Sequence, residues 1–214
     1  MRRLPLFPLG TVLMPTHLLP LHVFEQRYRA LLDDLTGAEL GTPLIEPEFG
    51  VVLIERGHEV GGGDRRAPVG TVARLLDTRR LPDGRWVVAA TGTRRFRVDQ
   101  FLPDDPYPLA MVDDIPDDPW DPADAPALAA AEAALRRTFA LATRLATDPA
   151  GTEPALDLSD EPPVAAWQLC GLAPVGPLDQ YRLLVAETVG RRLDLLTGML
   201  DDLAEMLAFR LAEG

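Results

Sequence analysis

The sequence predicts an α+β chain: an amino-terminal antiparallel β barrel or curled sheet with one early helix, then a carboxy-terminal helical bundle. Three observations carry this reading. Up to Ile115 the apolar runs are short, β-branched or proline-broken, and separated by turn residues. Asp113 to Pro126 (DDIPDDPWDPADAP) then concentrates six aspartates and four prolines, a composition that neither propagates a helix nor pairs as a central strand. Beyond it, apolar residues recur at the three-or-four step of helix faces. The domains follow as a β unit at 1–116, an acidic proline-rich linker at 117–126 and a bundle at 127–214.

Taken in order, Leu4 to Val23 reads as extended pieces. Pro5, Pro8, Pro15 and Pro20 each remove a backbone donor and bias the preceding residue toward β geometry. From Glu25 the period changes, and Phe24, Tyr28, Leu31, Leu32 and Leu35 fall on one helix face, with Gly37 as a left-handed cap. Phe49 to Ile54 suits a buried strand. Arg56 to Pro68 carries three consecutive glycines and five charges and reads as an exposed, mobile loop. Val69 to Asp77 and Arg85 to Thr91 are strands joined by the turn Leu81-Pro82-Asp83-Gly84. Arg95 to Phe101 and Tyr107 to Ile115 complete the β vocabulary. Helices are expected over Ala123 to Thr147, Val164 to Leu172, Leu178 to Glu187 and Arg191 to Leu211. In the last, Leu193, Leu196, Leu200, Leu203, Leu207 and Leu211 form a sustained apolar seam, read as bundle core with a homodimer contact as the sharper alternative.

Composition bounds the function. The 214 residues are 47% apolar and 25% charged, ordinary for a soluble protein with a real core. All 21 basic residues are arginine, which we read as the coding bias of a GC-rich genome. The net charge of -12 argues against affinity drawn from nucleic-acid phosphates or anionic lipid. The lone Cys170 excludes an internal disulfide and fits a reducing cytoplasm. Met1-Arg2-Arg3 before an uncharged run imitates a signal peptide or membrane span. The prolines inside that run, each costing about 3 kcal/mol in a helix interior, favour the soluble reading.

Two ordered blocks carry a resemblance. Pro5-Leu6-Phe7-Pro8-Leu9, then Pro20, Leu21, Phe24, Glu25, Arg27 and Tyr28, resemble the opening of the amino-terminal, substrate-recognition domain of Lon-type ATP-dependent proteases. There a P-L-F-P-L run precedes P-L-x-x-F-E-x-R-Y and a helix. Val69-Gly70-Thr71-Val72-Ala73, Leu81-Pro82-Asp83-Gly84 and Gly92-Thr93-Arg94-Arg95-Phe96 resemble that domain's G-T-V-A hairpin and G-x-x-R-F strand. The resemblance implies a PUA-like curled β module that captures protein chains, here as a free-standing bacterial member of the family.

The chemistry open to the chain is narrow. A Lon motor needs a phosphate-binding lysine, and its protease a serine activated by lysine. There is no lysine, and the only serine is Ser159, so the sequence predicts neither activity. One cysteine and His17, His22 and His58 make no zinc site, and the zinc-bearing ligand domain of some eukaryotic relatives is missing. We expect no enzyme, no metal and no cofactor. Cys170, in an apolar helix, reads as inert core rather than nucleophile.

The candidate partner-binding residues are Phe24, Glu25, Arg27, Tyr28 and Trp120. Against that role, charges just after a strand commonly brace the following helix, and Phe24 and Leu21 suit a core. His22 should point to solvent, and Trp120 should be the most exposed tryptophan. The leading expectation is an ATP-independent module in cytoplasmic protein quality control. It would bind unfolded or specific client proteins or peptides in a groove between barrel and bundle or along a strand edge, with no nucleic acid and no membrane as partner. The alternatives are an RNA-contacting PUA-like module, against which the charge speaks, or an enzyme of unrecognised type.

Overall fold

Residues 1–37, 47–56, 65–117, 119–145 and 156–213 are described by the computed structural model. They divide into two units, Met1–Asp117 and Asp118–Gly214.

The amino-terminal unit holds β1 (Arg2–Leu9), β2 (Leu18–Val23), α1 (Gln26–Thr36), β3 (Glu48–Arg56), β4 (Arg65–Arg80), β5 (Trp86–Leu102) and β6 (Leu109–Ile115). Its sheet runs β2-β5-β4-β3-β1-β6, and β6 bonds back to β5. Five strands therefore close into a ring, with β2 attached outside it. The 17-residue β5 makes this possible. Its first half lies between β2 and β4, its second half between β4 and β6. Register shifts at Thr71/Ala73, Leu75/Asp77 and Val98/Gln100 bend the strands around.

The sheet is antiparallel except for β1 beside β3, which is parallel with Leu6 opposite Gly50. A parallel pair needs a long crossover, and the segment between these strands contains β2 and α1. Strand pleating then gives β1 and β3 two apolar faces. Leu4 and Leu6 join Val52, Val72, Phe96, Ala110 and Val112 in one core. Phe7 and Leu9 join Phe49, Val51, Ala73, Val88 and the α1 residues Tyr28, Leu31, Leu32 and Leu35 in the other.

This arrangement explains the second sequence block. A Cβ on Gly70 would overlap the Val51 carbonyl oxygen and stand 2.7 Å from the Phe96 ring. The buried Thr71 hydroxyl donates to the Leu13 carbonyl at 2.6 Å, tying β4 to the β1–β2 connection. Val72 and Ala73 fill opposite cores. In that connection, Thr16 sits at φ 70°, held by its N–H on the Gly92 carbonyl at 2.8 Å, while the Gly92 N–H reaches His17 O at 2.9 Å. Arg95 is buried and reaches Asp117 at 3.2 Å.

Several boundaries differ from the sequence reading. Arg65 to Pro68 belongs to β4 rather than to a loop, and 57–64 lie outside the described residues. The pieces 85–91 and 95–101 are one bent strand. Asp113 and Asp114, which the sequence reading places both at the end of the Tyr107–Ile115 strand and at the start of the composition break, pair with Arg97 and Phe96 in β6. Asp114 is accommodated there by Arg94 Nε at 2.8 Å and Arg2 Nη2 at 3.1 Å, which hold its carboxyl below the usual range despite the opposing effect of burial.

The second unit contains a 3-10 turn (Pro122–Asp124), α2 (Ala125–Leu145), α3 (Pro162–Leu172), α4 (Pro177–Val185) and α5 (Val189–Glu213). Prolines open α3 and α4, where a missing N–H costs nothing. α2 packs along α5 through small residues, Ala131, Ala134 and Thr138. The α5 seam is buried through Leu193, Leu196 and Leu200, and only half-buried at Leu203, Leu207 and Leu211.

Arg192 is 2% exposed inside this unit. It donates to the Leu183 and Ala186 carbonyls at 3.2 Å each, completing the end of α4, and its guanidinium lies 3.6 Å over the Trp167 ring. Burial pushes the neighbouring Cys170 thiol up to about 12, with Arg192 opposing, so Cys170 stays a neutral packing residue.

Two substitutions test these packings. Gly70→Ala should cost about 1–3 kcal/mol through overpacking, read as a lower urea midpoint. An unchanged midpoint would mean that β3 and β4 do not approach as described. Arg192→Ala should cost about 2–4 kcal/mol, because it removes two buried hydrogen bonds to the end of α4 and the ring contact. Thermal unfolding indistinguishable from the parent would refute that role.

Candidate functional site

Four of the five residues predicted for recognition, Phe24, Glu25, Arg27 and Tyr28, lie where β1, β2 and α1 meet, but they do different work. Tyr28 is 3% exposed and stacks on Phe7, ring centroids 4.1 Å apart and 18° between planes. Arg27 lies over the other part of this assembly, its guanidinium 4.5 Å from the Tyr28 ring. Its Nε donates to Glu25 Oε2 at 3.1 Å, and Nη1 stands 4.0 Å from Asp104 Oδ2. Asp104 in turn accepts two hydrogen bonds from Arg66, at 3.1 and 3.0 Å. Glu25, Arg27 and Tyr28 thus brace α1 against the sheet and the β5–β6 loop.

Tyr107 adds a second tie, donating its hydroxyl to Asp34 Oδ2 at 2.7 Å. Burial and the Asp34 carboxylate push this phenol up to about 12, so it remains a donor through neutral pH. The stability gained from that shift is present below the ordinary tyrosine pKa of about 10 and is lost as pH rises through the folded value.

Phe24 behaves differently. It is 59% exposed, outside the helix whose N-cap is Glu25, and so it is not the core residue its spacing suggested. It continues the outward parity of β2: Leu18 is 70% exposed, and Pro20 and His22 are exposed too. Leu19, Leu21 and Val23 point the other way and pack on the α1 core. A solvated strand face is normally polar, so an outer row of Leu18, Pro20, His22 and Phe24 is an apolar strip with one imidazole.

At the Phe24 end this strip opens into a small cavity of about 110 Å³. The buried Phe7, Val23 and Tyr28 form its base; Pro8 and Leu9 line one side; His22, Phe24 and Glu25 edge its mouth. Ligand pockets for whole small molecules run to roughly 300–1,000 Å³, so this one suits a single apolar side chain. β2 is also the edge of the described sheet. Pro20, in its middle, supplies no N–H, which breaks any continuous ladder an added strand would need.

Trp120, the fifth candidate, belongs to the other unit. It is half-buried and lines an open groove of about 590 Å³ with Pro119, Asp121, Thr188 and Val189. Trp86 and Trp167 are buried. Among the described residues no group of three or more His, Cys, Asp or Glu could hold a metal ion, and no helix is long and apolar enough to cross a membrane. Sequence reasoning missed Leu18 and Pro20. Their signal was present in Leu18 to Val23, where apolar residues occupy both parities of one strand and so require two apolar surroundings.

Against protein-family models, residues 3–202 match the ATP-dependent protease La (LON) substrate-binding domain. The chain is 30% identical to Lon protease 2 of Sorangium cellulosum over 210 residues, 95% of this chain and 25% of that protein. It is 32% identical to the Lon protease of Flavobacterium johnsoniae over 114 residues, 52% of this chain and 13% of that protein. The chain therefore spans a quarter or less of the length of these curated relatives. Among solved structures it resembles the Lon N-terminal domain protein from Xanthomonas campestris, with a TM-score of 0.62 and 28% identity, over 92% of this chain and 98% of that one. The N-terminal domain of the Mycobacterium avium complex Lon protease shares the fold, with a TM-score of 0.63 and 20% identity, over 94% and 99%.

The division of labour among the signature residues is measurable. Tyr28→Ala should cost about 3–5 kcal/mol, the usual loss for a buried aromatic, whereas Phe24→Ala should stay within about 0.5 kcal/mol. Urea unfolding of both variants decides this, and a large loss at Phe24 would contradict its exposed placement.

Proposed function

The chain belongs to the Lon substrate-binding domain family, and from that premise we propose that it is a non-enzymatic module that holds extended segments of client proteins without ATP. The observation that carries this reading is the exposed strip Leu18–Pro20–Phe24 running into a cavity sized for one side chain. A client segment lying along β2 would place an apolar side chain in the cavity against Phe7 and Tyr28, and further apolar groups on Phe24 and Leu18. Pro20 makes this recognition by side chains rather than by strand addition.

The strip is small and already solvated, so capture is reversible, with Kd on the order of micromolar or looser. The net charge of -12 favours basic clients and disfavours RNA, whose phosphates it would repel. The absence of lysine from these 214 residues leaves them without the phosphate-binding and serine-activating groups of a Lon motor and protease. The role that fits is client holding in the bacterial cytoplasm as part of protein quality control.

The test uses a permanently unfolded fluorescent client, such as a reduced and carboxymethylated secretory protein, titrated with the chain and followed by anisotropy. Phe24→Asp should weaken binding about tenfold, the effect of losing roughly 1.4 kcal/mol at a contact residue, while leaving the unfolding midpoint in place. Equal binding by parent and variant would remove the strip from the function.

A further inference from the structure

The cavity beside Phe24 has a size set by the core around it. Pro8 and Leu9 are held in the β1–β3 ladder opposite Val52 and Leu53. Val23 is held in the β2–β5 ladder opposite Trp86, and Phe7 and Tyr28 are buried. A close-packed interior does not widen without displacing such residues, so the space of about 110 Å³ is an upper limit. An apolar cavity of roughly 150 Å³ accepts a benzene ring. Six carbons in that volume scale to about 100 Å³ for the four side-chain carbons of leucine or isoleucine. The cavity therefore admits a branched aliphatic side chain and is too small for an aromatic one.

The aromatic surfaces at its base are already in use. Tyr28 carries Phe7 on one face, 4.1 Å between centroids, and the Arg27 guanidinium lies 4.5 Å from its ring. Phe7 has Phe49 as its other aromatic neighbour, at 6.0 Å. An entering ring would find no open face on which to take the offset-stacked arrangement. Phe24 keeps an exposed ring, but at the mouth, where an aromatic group laid against it leaves the cavity unfilled. Charge offers no other occupant. Glu25 at the mouth accepts from Arg27 Nε at 3.1 Å, and Arg27 stands 4.0 Å from Asp104. An entering ammonium or guanidinium would give up its water for a carboxylate that already has a partner. Building on the client-holding reading above, we infer that the cavity selects aliphatic side chains of the client, leucine, isoleucine or methionine, over aromatic and charged ones.

This order is the reverse of what an undifferentiated apolar surface gives. There affinity follows buried area, and aromatic side chains, which bury roughly 150–250 Å² each, come first. In a cavity with fixed walls, a side chain that overfills it must displace core residues, and one that underfills it leaves contacts unmade. Leucine and isoleucine lie between these limits, and methionine adapts to them through its flexible thioether.

The test uses fluorescein-labelled peptides of about a dozen residues, a serine- and alanine-rich host with one variable central position, titrated with the full chain and followed by anisotropy. Peptides carrying leucine, isoleucine or methionine should bind about tenfold more tightly than the alanine peptide. Phenylalanine and tryptophan peptides should bind about threefold or more weakly than leucine. Val23→Ala, which enlarges the base of the cavity, should bring phenylalanine to the affinity of leucine or beyond it. Val23→Ile, which fills the base by one methylene, should weaken leucine about fourfold and valine less. These are ratios within one protein, so a general loss of stability does not imitate them, and Val23→Ile carries the test if Val23→Ala fails to fold. An aromatic-first order in the parent, no distinction among the peptides, or an order indifferent to Val23 overturns the inference. Client holding survives any of these if the carboxymethylated client still binds. If neither peptides nor that client bind, the client-holding reading falls and this inference with it.

Discussion

The contact on which the amino-terminal unit depends is the stack of Phe7 on Tyr28. Phe7 sits on β1, the strand that pairs in parallel with β3 and antiparallel with β6. Because alternate residues of β1 point to opposite faces, Leu4 and Leu6 commit one face to the ring of strands and Phe7 and Leu9 commit the other to α1. The parallel β1–β3 pair obliges the chain to leave the sheet and return, and that excursion delivers β2 and α1. The stack fixes where the excursion lands. The cavity under Phe24 is the gap left where strand, strand and helix meet at that landing point, and so the candidate site is a consequence of the crossover.

Much of this was legible in the residues, for reasons that can be named. Glycines and prolines mark the turn at Leu81 to Gly84 and the α1 cap, where Gly84 and Gly37 take φ of 81° and 62° that other residues adopt at a cost. The period change at Glu25 marks α1 because helix and strand repeats differ. What was not legible depends on partners distant in sequence. Nothing local distinguishes a parallel β1–β3 pair from an antiparallel one. At Asp113 and Asp114 the strand reading and the composition break overlap, and Arg2, Arg94 and the end of β5 beside them are what settle the strand. Phe24 follows the spacing of the helix face, yet it lies before the N-cap and keeps the outward parity of β2. Glu25 and Arg27 could be read as surface charges only while Asp104 and Arg66 were unplaced.

The second unit shows the same limit from the other side. Arg192 falls within the apolar face of α5, and a charged residue there has no reading in periodicity alone. It is tolerated because the last carbonyls of α4 need donors and the Trp167 face accepts a cation, so one side chain serves two neighbours. The leucine seam was correctly read as core only as far as its neighbours extend. Its repeat continues past Leu200 although burial does not, since a sequence repeat reports what a helix offers and not what meets it. Small residues on α2 explain the tight part: Ala131, Ala134 and Thr138 let two helices approach closely enough for Thr138 Oγ1 to lie 3.2 Å from the Leu200 carbonyl.

An apolar strip on an edge strand is ordinarily a hazard, because the same face that attracts a client attracts another copy, and a free edge offers it a ladder. β2 escapes this by its own composition. It is six residues long, and its central proline removes a donor that a seventh strand would need. The net negative charge then keeps copies apart at distances beyond the strip. On the role we propose, the residue that interrupts the strand edge is also the one that selects the mode of recognition. With the backbone edge closed by Pro20, only side chains remain to be read, and the cavity framed by Phe7, Tyr28 and Phe24 lies within their reach. On the client-holding role we propose, a proline in the middle of β2 lets that strand present apolar surface without offering a backbone ladder.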